Sequence, residues 1–264
     1  MRKYFSYYQF AIKDIFAYKA DIIITIIANM VFFFVYFALW KSIYTANDIT
    51  AIHSYTLTNT VTYYFVTSFI FRLDPSSAMF LNEGIWTGFF TNDIIKPWSA
   101  LFIDVVYTLA ELTTRLLLYI PFCIFIFVVA SSYISLPSLP NLIYFVITVI
   151  LGIFLGIAFY EIIHGLCFHY GDQDANIGLI SFLIILPAGG LFPLSFLPEA
   201  AKTIVYHLPF RFLFDTPANI YLGKMAFPAI AWSWVQMILW TILFFVIFCF
   251  VYKTGVKKYT GTGR

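Results

Sequence analysis

A few ionisable residues fall inside otherwise apolar stretches, and their spacing is where chemistry could reside. Asp104, Glu111 and Arg115 recur at i, i+7 and i+11, which is one face of a helix. Glu111 and Arg115 are four apart and can pair along that face. Glu161 and His164 are three apart and share a face of another helix. A charge in lipid is costly, so such residues are read first as lining a translocation path or relaying protons. A structural reading stands beside this one: Asp104 lies near one end of its stretch, and a Glu111–Arg115 pair can serve packing alone. His169, Asp172 and Asp174 extend the second set to ExxH followed by HxxDxD. These are metal-ligand types, but their spacing fits no established ligand signature, and solvated loop acids account for them more simply. Cys123, Cys167 and Cys249 lie in apolar stretches without a CxxC pair and read as small core residues.

Several kinds of chemistry lack their motifs. No GxxxxGK[ST] occurs, the Gly223-Lys224 pair being followed by Met225, so the chain has no P-loop of its own. GxSxG, HExxH and GxGxxG are also absent. No catalytic, cofactor-binding or metal-binding residue is assigned, and the chain is not expected to be an enzyme. A net charge of +2 argues against a nucleic-acid partner.

The elements that must position these residues belong to a chain made for lipid. Of its 264 residues 62% are hydrophobic and 11% charged, where soluble domains carry about 25% charged residues. The expected fold is all-α and polytopic, a single transmembrane domain over 1–264. Six stretches are apolar enough to span: 22–40, 55–71, 101–130, 142–165, 177–197 and 229–252. The second is rich in Thr and Tyr, so one of its faces avoids lipid. Residues 1–20 place Arg2, Lys3, Lys13 and Asp14 opposite Tyr4, Tyr8, Ile12 and Ile15, an interfacial helix rather than a signal peptide. Lys and Arg gather at both ends of the chain, and Arg72 and Lys96 sit in the 72–99 loop. Six spans with basic ends place both termini in the cytoplasm. The 199–228 segment must then face outside although it carries Lys202, Arg211 and Lys224. Gly152 and Gly156, four apart, permit close packing.

Two segments depart from plain spanning helix. Residues 72–99 open with Asp74-Pro75, a helix-start pair, and continue through Leu81, Ile85, Trp86, Gly88, Phe89 and Phe90 to Lys96-Pro97. They form either a cytoplasmic docking helix or one that rests on lipid. Pro187, Gly189, Gly190, Pro193 and Pro198 break the fifth stretch. Broken backbone at membrane depth must be buried in protein or line a cavity, so 198–228 is expected to be external or to dip back into the outer leaflet.

These features together resemble the membrane permease subunit of an ABC exporter, of the ABC-2 type (type-2 export permease) family. The resemblance rests on the run from Gly88 through Lys96-Pro97, on GGLFPLSFLPEAAKTIVYHLPFRFLFDTPANIYLGK over 189–224, and on the layout of interfacial helix, six spans and a cytoplasmic loop between spans two and three. It covers almost the whole chain. Phe89 departs from the pattern, since an acidic residue often follows the glycine in such loops. The resemblance implies an ATP-driven exporter in a prokaryotic cytoplasmic membrane. It also implies a separate ABC ATP-binding subunit that holds ATP and Mg, and a second permease chain, identical or paralogous. Leu81, Ile85, Trp86, Gly88, Phe89, Lys96 and Pro97 would then couple the permease to the ATPase. Two other functions compete. A proton-coupled secondary transporter would use Glu111, Glu161 and His164, though no inverted repeat is visible. An intramembrane metal-dependent enzyme would use Glu161, His164 and His169. Aromatic residues make up 22% of the chain, yet drug, lipid and glycan cargoes all stay open.

Overall fold

A computed structural model describes residues 6, 8, 9, 12, 13, 19–46, 48–77, 80–94 and 100–260. Most of 1–20, together with Lys96, Pro97 and Arg264, therefore lies outside the described residues. Those described form helices α1 (Lys19–Ala46), α2 (Leu57–Phe71), α3 (Phe80–Thr87), α4 (Phe90–Ile94), α5 (Ala100–Val129) and α6 (Leu139–Gly165). There follow α7 (Cys167–Tyr170), α8 (Asp174–Ile185), α9 (Glu199–His207), α10 (Asp215–Tyr221) and α11 (Phe227–Val256). Among the described residues the sole β feature is an isolated bridge between Ile52 and Tyr55.

Local signals set the helix starts. The Thr56 side chain accepts from the Asn59 N–H at the start of α2, and Ser138 does the same for Asn141 at the start of α6. Proline stands in the first turn of both α6 and α11, where its missing N–H costs no helical bond.

Four helical stretches are long and apolar enough to cross a membrane: Ile26–Ala46, Phe102–Val129, Leu139–Tyr170 and Phe227–Val256. These match the expected spans 22–40, 101–130, 142–165 and 229–252. The other two differ. α2 has 15 residues and α8 has 12, about 22 and 18 Å at about 1.5 Å per residue, short of the roughly 30 Å hydrocarbon layer. The stretch 177–197, expected as one span, is helical only to Ile185. Pro187 and Gly189 follow, and Gly189 has φ +79°.

Beside a hydrophobic core, the bundle buries many hydroxyls and exposes large apolar side chains, as a lipid-facing chain does. Thr60, Thr62, Thr67, Thr108, Thr114 and Thr148 are buried, while Ile124, Val128, Phe182, Phe245 and Val246 are exposed. The Thr- and Tyr-rich face of α2 points inward as its composition requires. Several buried hydroxyls bond to the carbonyl one turn back, as Thr108 does to Asp104 and Thr114 to Ala110. α6 and α11 make the most extensive helix pair. A Cβ on Gly152 would stand 3.5 Å from the Phe212 carbonyl, and one on Gly156 2.9 Å from Pro75 Cγ. The two small residues thus admit the 3-10 turns that hold Phe212 and Pro75, and Gly152 also lies against Met237 of α11.

Pro75 packing against Gly156 reveals that the chain after α2 turns back within the bundle. Arg72 was expected as a loop cation at the cytoplasmic surface. Its guanidinium instead donates to Asn29, more than two turns inside α1, and lies 5.5 Å from the Tyr119 ring of α5. The cause is the early stop of α2, whose last helical residue is Phe71.

The two ends of the bundle are distinct. At one end Lys224 donates to the Ser54 carbonyl, and the Ser135 N–H donates to Thr62 Oγ1. Two of the loops expected outside therefore meet, and the third rests on α2. At the other end Phe90 packs against Phe168, Tyr252 and Tyr259, which joins α4, α7 and the end of α11. Each cation of 199–228 is held locally. Lys202 pairs with Glu199 at 2.7 Å, Arg211 stacks on Tyr206 and Phe212, and Lys224 sits 4.0 Å from the Tyr55 ring centroid.

Candidate functional site

The segment expected to couple to a partner folds as a short helix with two unlike faces. Leu81 and Ile85 are buried with Phe90, Cys167 and Phe248. Trp86 and Phe89 are 47% and 68% exposed. The four candidate anchors thus divide: Leu81 and Ile85 hold α3 to the membrane domain, and Trp86 and Phe89 face away. Gly88 has φ +83°, a conformation that strains any residue with a Cβ, and it separates α3 from α4. Lys96 and Pro97 lie outside the described residues.

Asn82 carries most of the polar attachment, and the sequence reading missed it. Its side chain is 1% exposed. Nδ2 donates to Asp172 Oδ1 at 3.0 Å and to Asp174 Oδ1 at 2.6 Å, and Oδ1 accepts from the Gln173 N–H at 3.2 Å. The amide ties α3 to the turn between α7 and α8. Trp86 lies over the same turn, 3.8 Å from where a Cβ on Gly171 would stand. Asp172 and Asp174, considered as metal ligands, are therefore acceptors for Asn82. The Asn82 amide, followed by the Asp174 N–H, holds the Asp172 carboxyl below the usual carboxylate range. His169 is separate from them, with Thr254 Oγ1 at 3.5 Å. Among the described residues no three His, Cys, Asp or Glu converge as a metal site. One sequence signal for Asn82 existed, an amide on the otherwise apolar face of Leu81 and Ile85.

Asp104, beside the Leu81 backbone of α3, is buried together with Glu161 and His164 of α6; they are 1%, 5% and 1% exposed. Asp104 on α5 faces Glu161 on α6, with the Leu81 backbone as its other polar neighbour. Neither Asp104 oxygen reaches hydrogen-bond geometry with a conventional donor, nor does Glu161 Oε2. Two carboxyls so placed can bond to each other only if one holds a proton. Both His164 nitrogens are likewise buried without a partner. Asp104 and Glu161, from different candidate sets, meet here.

Glu111 and Arg115 lie farther along α5 and pair with each other. Arg115 Nη1 also approaches the Asp74 carbonyl at 3.4 Å. The expected face Asp104–Glu111–Arg115 thus divides into an acidic half beside α3 and an ion pair beside the turn after α2.

At the opposite end the broken segment is knotted to α2. Tyr63 Oη donates to the Gly189 carbonyl at 2.7 Å and to Asp215 Oδ1 at 3.1 Å, and that oxygen also accepts from the Leu194 N–H at 3.0 Å. A Cβ on Gly189 would come within 2.7 Å of both Asp215 Cβ and Tyr63 Oη. Gly190 returns its N–H to the Ile185 carbonyl at 2.9 Å. Pro193 precedes the 3-10 turn Leu194–Phe196, and Pro198 precedes α9. Asp215, 3% exposed, was not singled out from sequence.

The arrangement is an apolar helical bundle that carries a two-faced helix at one end and a broken, self-bonded segment at the other. No curated protein matches the chain. Residues 10–263 match the family described as ABC-2 family transporter protein, and the chain belongs to that family.

Proposed function

We propose that the chain is the permease subunit of an ATP-driven exporter, coupled to a separate ATP-binding subunit through α3. The observation that carries this reading is the exposure of Trp86 on α3, and of Phe89 in the turn that follows it, while the opposite face of α3 is fixed by Leu81, Ile85 and Asn82. Two large exposed aromatics next to a well-held helix suit a docking contact. The same support would pass a push on α3 to α5, α6 and the turn before α8. A conformational change follows only if the ATP-bound partner favours one arrangement of these elements.

In this reading ATP and Mg bind the partner, and Gly88 gives the backbone break that the contact needs. A second permease chain, identical or paralogous, completes the path. The chain is multi-pass in a prokaryotic cytoplasmic membrane with both termini cytoplasmic. Six crossings arise if α2 with the turn after it, and α8 with the broken segment 186–198, each traverse the layer. The C-terminal end of α11 packing beside α4 supports that orientation.

Co-purification tests the coupling. A tagged wild-type or Trp86→Ala chain, at matched membrane amounts, is used to pull down a co-expressed ATP-binding cassette subunit, sought first in the neighbouring reading frames. The expected result is at least about a 30-fold weaker association for Trp86→Ala, the scale of one interface hot spot. Unaltered association would leave α3 as a helix resting on lipid.

A further inference from the structure

A second arginine occupies the membrane domain without an acid. Arg115 has Glu111. Arg72 has an amide oxygen on Asn29 and the Tyr119 ring, and its Nε is buried without an acceptor. Among the described residues no carboxylate pairs with it, and Arg115 acts on it as a like charge. Asn29 and Tyr119 each lie more than two turns inside the nearer end of α1 and α5, so this cation sits between two long apolar helices. An unpaired charge there is costly, and its persistence indicates a ligand of opposite charge.

The place for that ligand is present. Arg72 lines a cavity of about 610 Å³ between α1, α2 and the turn after α8. Small-molecule sites run from about 300 to 1,000 Å³. Phe32, Phe71, Phe182 and Ile185 supply an apolar wall, and Asn29 and Ser68 add polar groups near the guanidinium. Phe32 and Phe182 are exposed at 62% and 72%, so the cavity opens at the apolar surface of this chain. An arginine fork at one point and an aromatic wall leading to an apolar opening are the two halves of an amphiphile site.

We propose that this cavity binds exported cargo of one chemical class, a single-chain amphiphile with an anionic headgroup. The headgroup lies on Arg72, and the chain runs along Phe32, Phe71 and Phe182. The assignment of the ligand as cargo rests on the transporter reading above; the site itself does not.

The test uses the full chain in phosphatidylcholine nanodiscs and three pyrene probes of equal chain length, ending in carboxylate, trimethylammonium or hydroxyl. Wild type is expected to bind the carboxylate probe about 10- to 100-fold more tightly than either other probe, the scale of a charge-assisted hydrogen bond. Arg72→Gln is expected to abolish that preference, and Arg72→Lys to keep most of it. Ala28→Trp, which adds bulk on the α1 wall of the cavity and keeps Arg72, should weaken all three probes, so the proposal stays testable if Arg72→Gln fails to fold. Equal binding of the three probes by wild type would overturn the proposal, as would an unchanged preference in Arg72→Gln. Displacement of the carboxylate probe by phosphatidylglycerol at ordinary membrane content would make this a resident lipid's site and overturn the cargo assignment. Cross-linking of two copies through Phe32→Cys, with no probe bound, would make it an interface and overturn the site. Loss of carboxylate preference with intact Trp86-dependent pull-down removes the site and leaves the permease reading. The converse removes the reading and leaves the site.

Discussion

The two ends of the bundle solve the same problem differently. Each must hold non-helical chain against apolar helices, where every backbone polar group needs a partner. At the broken segment the protein closes on itself: Tyr63, Gly189, Leu194 and Asp215 satisfy one another. At α3 the inward face is equally well held, by Leu81, Ile85 and Asn82, but Trp86 and Phe89 remain outside. A segment that leaves two aromatics exposed beside a rigid amide staple has surface for a partner.

Substitutions at the closed end should cost stability first. Gly189→Ala combines a positive φ with a Cβ 2.7 Å from two side-chain atoms. Strain and overpacking cost about 1–3 kcal/mol each, so this variant is expected to show the largest loss of monodisperse protein on heating in detergent. A near-normal melting profile would mean that the Tyr63–Asp215 knot yields easily and that the contrast between the ends is weaker than drawn.

Next in size is the ion pair on α5. Glu111→Ala leaves Arg115 uncompensated, at about 2.5–3.5 kcal/mol on insertion scales. Folded yield should fall in either single alanine variant and partly recover in the double variant. Normal abundance for Glu111→Gln with altered transport selectivity would instead assign Glu111 to cargo.

Asn82→Ala should cost about 1–3 kcal/mol, since it orphans the buried Gln173 N–H and removes two donors from Asp172 and Asp174. It should also weaken ATPase association, whereas Trp86→Ala weakens association without lowering the melting temperature. Stability and docking separate cleanly only if α3 has the two faces described.

The smallest effect concerns pH. The folded pKa of Asp172 is depressed, so its contribution is present above the ordinary carboxylate range and is lost as pH falls through the depressed value. The group is largely solvent-exposed, which limits the effect to under about 1 kcal/mol. Asp172→Asn should lower the melting temperature slightly at pH 7 and flatten its decline toward pH 3. An unchanged acid limb would remove Asp172 from the staple and leave Asp174 as the working acceptor.

The membrane character of the chain, its four long helices, the inward Thr and Tyr face of α2, the Glu111–Arg115 pair and the presence of a break within the fifth stretch were legible in the sequence, though that stretch was read as one span. Each follows from composition or from spacing within one element, where periodicity fixes which side chains share a face. The family membership was legible as well, because its pattern is spread along the chain. Contacts between elements were not. Asp104 meeting Glu161, Asn82 reaching Asp172 and Asp174, Asp215 reaching Tyr63, and Arg72 set against Asn29 and Tyr119 all join residues distant in sequence. Which face of α3 turns inward was equally undecided, since Leu81, Ile85, Trp86 and Phe89 are all apolar. Their division into anchors and exposed surface depends on where Cys167 and Phe248 lie, and only the packing of α7 and α11 beside α3 and α4 decides that.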